Sequence, residues 1–313
     1  METALNMALL TMEQTLMMFL LIGLGFLLFK IKFITVEGSG SIMKLLVYAV
    51  LPTVIVKSFF AERTVESMQN LGISALVAAG AVFINIVVST IACRKNSLDV
   101  VAAAFSNCGF FGLPLIAADL GEGAKFFVVA YIVLNNFFQW TYGISRIKGE
   151  PFKESLKPKP LLLSPIFVAA VIGMIIYFSG LGGMMNDVPV VSDTVNAVAS
   201  MNTPLAMIIM GVYLGQTDFK SLFTTASVYF TSFVRLILCP SLTFLMMWFL
   251  PVDINIKIAI LIVAACPVGT NVAAYAQLCG KDYAYGVKTV LMSTLFAMIT
   301  LPILIMLGNI LWI

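Results

Sequence analysis

The residues most able to do chemistry fall in two short stretches, Asn107-Cys108-Gly109-Phe110-Phe111-Gly112-Leu113-Pro114 and Cys266-Pro267-Val268-Gly269-Thr270-Asn271. Each sets glycine, proline and hydrogen-bonding side chains into the middle of an apolar run. Pro114 has no N–H and leaves the carbonyl of Phe110 without its helical partner. Gly109 and Gly112 let the backbone leave helical angles at low steric cost. The spacing predicts a helix broken within Asn107–Pro114 and a matching break at Pro267. A helix that restarts after a break presents unpaired N–H groups and the positive end of its dipole, and both attract anions. Thr270 and Asn271 are N-cap types for the restarted helix. Asn107 either turns its amide toward a carboxylate or caps the break. Asn135, Gln139 and Tyr142, at i, i+4 and i+7, share one helical face, with Asn136 beside them. That face looks into the protein, either toward a guest or as glue between helices.

The expected substrate-binding set is Asn107, Cys108, Gly109, Gly112, Pro114, Asn135, Gln139, Pro267, Gly269, Thr270 and Asn271. No catalytic residue, metal site or cofactor is expected. The chain has no histidine, which removes the commonest general base and metal ligand. Its five cysteines lie in apolar stretches without ligand spacing and read as free thiols. Cys108 and Cys266, in the two broken stretches, are placed to approach one another. Arg235 is the only charge well inside an apolar run, and no acidic residue is an obvious partner.

These groups must be held in a membrane. Of 313 residues, 61% are hydrophobic and 11% charged, and mean hydropathy is +1.04. Soluble domains run at about 45–50% apolar and 25% charged. Apolar runs of about 20 residues predict ten spans: Thr11–Lys30, Ile42–Phe60, Ile73–Cys93, Val100–Leu120, Ala124–Ile144, Leu161–Phe178, Val198–Gly215, Leu222–Leu250, Ile256–Leu278 and Ala284–Leu311. Spans eight and ten are long enough to tilt or project. Ser164-Pro165 is a helix-start signal inside span six. No basic segment with a cleavage site precedes the first span, so no removable signal peptide is expected. No basic cluster interleaved with aromatics points to nucleic acid.

Thirteen of the 18 basic residues fall in connections on one side, four (Lys57, Arg63, Lys125, Lys257) on the other, and Arg235 lies within a span. The positive-inside rule places the first group in the cytoplasm, so both termini are expected outside the cell membrane. Residues 1–145 form one five-helix repeat, 146–160 a cytoplasmic linker, and 161–313 a second, inverted repeat. The prolines support duplication. Pro52 and Pro204 are 152 residues apart, and Pro114 and Pro267 are 153 apart. Inverted repeats with interrupted helices at matching positions point to a transporter's site.

The Asn107–Leu115 segment resembles the Asn…Gly-x-Pro-Leu segment of the auxin efflux carrier family, whose bacterial members include malate and malonate carriers. Leu51-Pro52, Pro267 with Asn271, Ala276, Ser293-Thr294 and Leu301-Pro302 are similar to other family signatures. The resemblance covers nearly the whole chain. It implies an all-α fold of two inverted five-helix repeats in which broken helices four and nine cross. It implies a scaffold of helices 1, 2, 6 and 7, a mobile domain of helices 3–5 and 8–10, homodimers through the scaffold, and an elevator-like shift. It also places Asn135 where a helix-five residue meets substrate. Asn202, Thr203 and Thr53 are candidates for the scaffold side.

The expected function is therefore secondary or facilitative transport of small organic anions, carboxylates or auxin-like acids, with the lipid bilayer as the other partner. The alternative is a sodium-coupled symporter or a cation/proton antiporter on a related broken-helix fold. No Asp, Glu or His lies clearly at mid-depth, so no built-in proton site is expected. A membrane-embedded enzyme lacks its reactive groups.

Overall fold

The computed structural model describes residues 2–155, 162–217 and 219–312. The middle of the linker, with Lys157 and Lys159, and the expected start of span six at Leu161 lie outside the described residues. Among those described, every regular element is helical, and besides the short turns Phe152–Ser155 and Phe219–Thr224 these are α1 (Glu2–Lys30), α2 (Val36–Ser58), α3 (Val65–Ala92), α4 (Ser97–Ala104), α5 (Cys108–Leu120), α6 (129–148), α7 (Pro165–Phe178), α8 (Leu181–Asp187), α9 (Pro189–Gln216), α10 (Ala226–Trp248), α11 (Ile254–Ala265), α12 (Asn271–Leu278) and α13 (Tyr283–Trp312). A 3₁₀ segment, Glu122–Val128, leads into α6.

Six of these helices (α1, α2, α3, α9, α10 and α13) are long and apolar enough to cross a membrane, and the α7–α8 pair, bent by 92°, makes a seventh candidate. Span six is thus shorter than expected. Ser164 caps its start, accepting from the Phe167 N–H, with Pro165 in the first turn. The 30-residue α13 runs through Pro302 without interruption. At 1.5 Å per residue it measures about 45 Å, against an apolar core of about 30 Å, so it tilts or projects.

Four of these helices widen into a π turn, at Leu46–Val50, Cys108–Gly112, Gln139–Gly143 and Val234–Leu238. Three of these turns end one residue before an X-Pro pair, at Pro52, Pro114 and Pro240. Proline gives up one helical bond and crowds the carbonyl four residues back; an i→i+5 turn relieves both without ending the helix.

Helices α1 and α9 run side by side in the same direction. A Cβ on Gly25 would lie 2.1 Å from the Ile208 carbonyl oxygen, and one on Gly211 2.1 Å from that of Ile22. A Cβ on Gly215 would lie 2.5 Å from the Phe29 ring. The small-residue pair Gly211 and Gly215 is therefore used within the chain, Gly211 admitting the neighbouring backbone and Gly215 the Phe29 ring. The centre is occupied by α4 and α11, short helices buried all round; Ile258 to Ala265 are nearly inaccessible. Helices with no polar face belong in the interior.

Candidate functional site

The polypeptide is interrupted between α4 and α5 and between α11 and α12, and the two gaps lie against each other. Ser106 and Val268 form an antiparallel bridge. The Asn107 N–H donates to the Pro267 carbonyl at 2.8 Å, and the Gly269 N–H donates to the Phe105 carbonyl at 3.0 Å. Peptide groups freed by one break are thus satisfied by the other, as an apolar interior demands. The first break falls at Phe105–Asn107, in extended backbone, and not at the glycines and proline. Gly109, Gly112 and Pro114 lie within α5, because the π turn absorbs the proline. The two glycines act by closeness. A Cβ on Gly112 would sit 3.1 Å from the Cys266 sulfur, and one on Gly109 3.2 Å from Leu51 Cδ1.

The helix starts at the two paired breaks are treated differently from the outer starts. The outer starts of α4 and α11 are capped by Asn96 and Asp253, which accept from Leu98 and Asn255 N–H groups. The inner starts, of α5 at Asn107 and of α12 at Thr270, have no side-chain cap. The expected capping by Thr270 is absent, although Thr270 is buried there. Two positive dipole ends therefore meet in the interior without a side chain to answer them.

Amide side chains surround them. Asn107 Nδ2 and Gln139 Nε2 are buried and have no acceptor among the described residues. Gln139 Oε1 accepts from Asn271 Nδ2 at 3.3 Å, which turns the Gln139 N–H₂ the other way, toward Gly269. Asn135 is fully engaged: its Oδ1 accepts from the Ser106 N–H and its Nδ2 donates to the Ser106 carbonyl, both at 3.2 Å. It clamps the first break. Asn135 and Gln139 share the buried face, but the π turn beginning at Gln139 carries Tyr142 off it, to within 2.6 Å of the Thr90 hydroxyl. Asn136 bonds within its own helix, to Ile132. Cys108 and Cys266 are free and buried.

Some supporting residues lie outside the expected binding set. Ser293 on α13 accepts from the Val268 N–H at 3.0 Å and fixes the second break. Tyr131 takes a bond from Asn85 and stands 3.4 Å from the Ser106 hydroxyl. Arg235 is wholly buried on α10, and its guanidinium donates to the carbonyls of Ala103 (3.0 Å), Ala104 (3.1 Å) and Ala264. The only available signal was polarity inside an apolar run, and nothing in that signal names the partner.

A cavity of about 330 Å³ opens beside α5. One wall is Gln14 of α1, Val54 of α2 and Ala199, Ser200, Asn202 and Thr203 of α9; the other is Leu113, Pro114, Ala117 and Ala118 of α5, with Glu122 and Lys125 at the rim. Of the expected site residues only Pro114 reaches this wall. Asn202 joins the two, donating to the Gly109 carbonyl at 2.9 Å while its Oδ1 stays without a donor. Thr203 lines the cavity; Thr53 instead bonds to Ala49 within its helix. At the rim Glu122 pairs with Lys57 at 3.0 Å and with Lys125 at 2.7 Å. Partial burial pushes its carboxyl up, but the two ammonium groups outweigh this and hold it below the usual range.

A family model described as a membrane transport protein matches residues 10–161 and again residues 154–305. No curated protein matches the chain.

Proposed function

Since this chain belongs to the membrane transport protein family, that of auxin efflux carriers and a family of transporters rather than enzymes, we propose that it carries small organic anions across the cell membrane, holding the carboxylate at the crossing. It is a multi-pass helical membrane protein. In this reading the broken pairs α4–α5 and α11–α12, the run 129–148 and the bent α7–α8 pair join the six long helices as ten spans in two inverted halves. The parallel course of α1 and α9 and the antiparallel Ser106–Val268 bridge both agree with that arrangement.

One observation carries the anion reading: two uncapped helix starts meet beside two buried amide N–H₂ groups that lack acceptors. Each helix end contributes about 0.3–1 kcal/mol to an anion, and up to about 2 in sheltered geometry. Together they give about 1–4 kcal/mol, where about 4 corresponds to millimolar affinity. Weak binding of this kind suits a carrier that must also release. The unmatched Oδ1 of Asn202 on the cavity wall suits a hydroxyl or a protonated group of the same guest.

The cavity lies between α1, α2 and α9 on one side and α5 on the other, along the boundary expected between scaffold and moving domain. A shift of α5 and its neighbours against that wall, the elevator step, would bring the crossing to the cavity. The homodimer through the scaffold and the outer placement of both termini belong to the same proposal.

The test is binding of a panel of mono- and dicarboxylates to the purified protein, with Asn107→Ala and Gln139→Leu in parallel. Loss of about tenfold or more in affinity is expected, since hydrogen bonds to charged groups contribute about 1.5–3 kcal/mol each. If both variants bind every ligand as the parent does, the crossing is not the site.

A further inference from the structure

We propose that Arg235 is a built-in cation: its guanidinium neutralises the C-terminal ends of both central half-helices and stands where a broken-helix carrier would otherwise need a bound metal cation. Helices α4 and α11 end in the interior at Ala104 and Ala265, and the last carbonyls of a helix have no partner within it. Each end carries about half a negative charge, so two ends facing one point present about one. Arg235 supplies one positive charge at that point. It reaches Ala103 and Ala104 on α4 and Ala264 on α11, bonding both ends with one planar group.

Nothing else there can serve. Ala102, Ala103, Ala104, Ala264 and Ala265 are buried and lack polar side chains. No carboxylate forms an ion pair with Arg235 among the described residues. The Cys239 thiol adds a long contact to Ala103 at 3.7 Å. The Nε–H of Arg235 has no partner among the described residues, so the side chain is held through its two terminal nitrogens. The π turn Val234–Leu238, which precedes Cys239-Pro240, presents the guanidinium to both ends at once.

Converging backbone carbonyls at half-helix C-termini are the ligands that hold sodium in other broken-helix carriers. Here those carbonyls are already taken by a cation that cannot leave. The inference deepens the proposed anion site and rests on it for one consequence: the crossing takes an anion without recruiting a metal ion, and its charge balance does not change with external sodium. Replacing Arg235 by a small residue would leave three carbonyls around a void, a site for a monovalent cation or a free guanidinium ion.

The experiment is thermal unfolding of the purified full-length protein in detergent, followed by intrinsic fluorescence. Choline, sodium, lithium and guanidinium chlorides are compared at millimolar concentration and matched ionic strength. The parent should melt at the same temperature in all four. Arg235→Ala should melt about 10 °C lower in choline, the scale of breaking a buried charged contact in a chain of this size, and recover at least half of that in guanidinium or sodium. Should Arg235→Ala fail to fold, Arg235→Lys and Arg235→Gln decide. The lysine variant should melt above the glutamine variant in choline, and only the glutamine variant should respond to added cation. Equal melting of the parent and Arg235→Gln in choline would overturn the proposal, as would a parent stabilised by sodium. No organic anion enters the assay, so its failure is distinct from failure of the anion-site reading.

Discussion

At the scale of single residues, the two asparagines nearest the first break do opposite things. Asn135 spends both polar atoms on the backbone of Ser106, while Asn107 keeps its Nδ2 unspent. Asn135→Ala should therefore destabilise the protein by about 1–3 kcal/mol, leaving a buried N–H and C=O unpaired, and thermal unfolding in detergent would show it. Asn107→Ala should leave the melting temperature close to the parent's while carboxylate affinity falls. If the two variants behave alike in both assays, the division of labour is wrong. The sequence offered both as amides in apolar runs and had no means of separating them. The difference is set by which backbone lies within about 3 Å, and Ser106 is 29 residues from Asn135.

Elements obey close approach more than propensity. Pro114 reads as a break, yet like Pro52 and Pro240 it follows a π turn and lies in continuous helix. The true interruptions fall at Phe105–Asn107 and after Ala265, where the chains trade backbone bonds. Glycine does its work where helices touch. Gly211→Val should part α1 from α9 and cost about 1–3 kcal/mol or more, because even a Cβ would meet the Ile22 carbonyl. Gly40, in α2 with nothing within 4 Å of a Cβ, is the control. Gly40→Ala should gain about 0.5–1 kcal/mol from reduced chain entropy. A melting series that reversed this order would refute the packing account.

For the whole molecule, the cavity rim joins the two walls through Lys57 and Glu122. Because the two ammonium groups depress the carboxyl, the contact persists above the ordinary carboxylate range and is lost as pH falls through the lowered value. The pair is solvent-exposed, so its contribution to stability is small. Its removal by Glu122→Gln should show in cavity access, read as faster thiol labelling of a Ser200→Cys reporter, rather than in melting temperature. Unchanged labelling would mean that the pair does not hold the walls. A second expectation concerns voltage. Among the described residues no carboxylate bonds at the two breaks, and the chain has no histidine, so anion transport should be electrogenic, driven at about 2.3 kcal/mol per charge per 100 mV. Flux in proteoliposomes that ignored an imposed potential would contradict it.

Composition and pattern alone determined that the chain lives in lipid, that it is helical, and that two stretches about 153 residues apart carry the polar groups. Those properties follow from solvent: a chain 61% hydrophobic cannot build a wet surface, and freed peptide groups in an apolar run must be used. Only the tertiary structure decided that the breaks bond to each other, that Asn135 is a clamp and Gln139 a free donor, and that Arg235 joins two helix ends. Periodicity reports which face is buried; it does not report what lies opposite. Arg235 lies more than a hundred residues from Ala103 in the chain, and contacts at that separation exist only once the helices have packed.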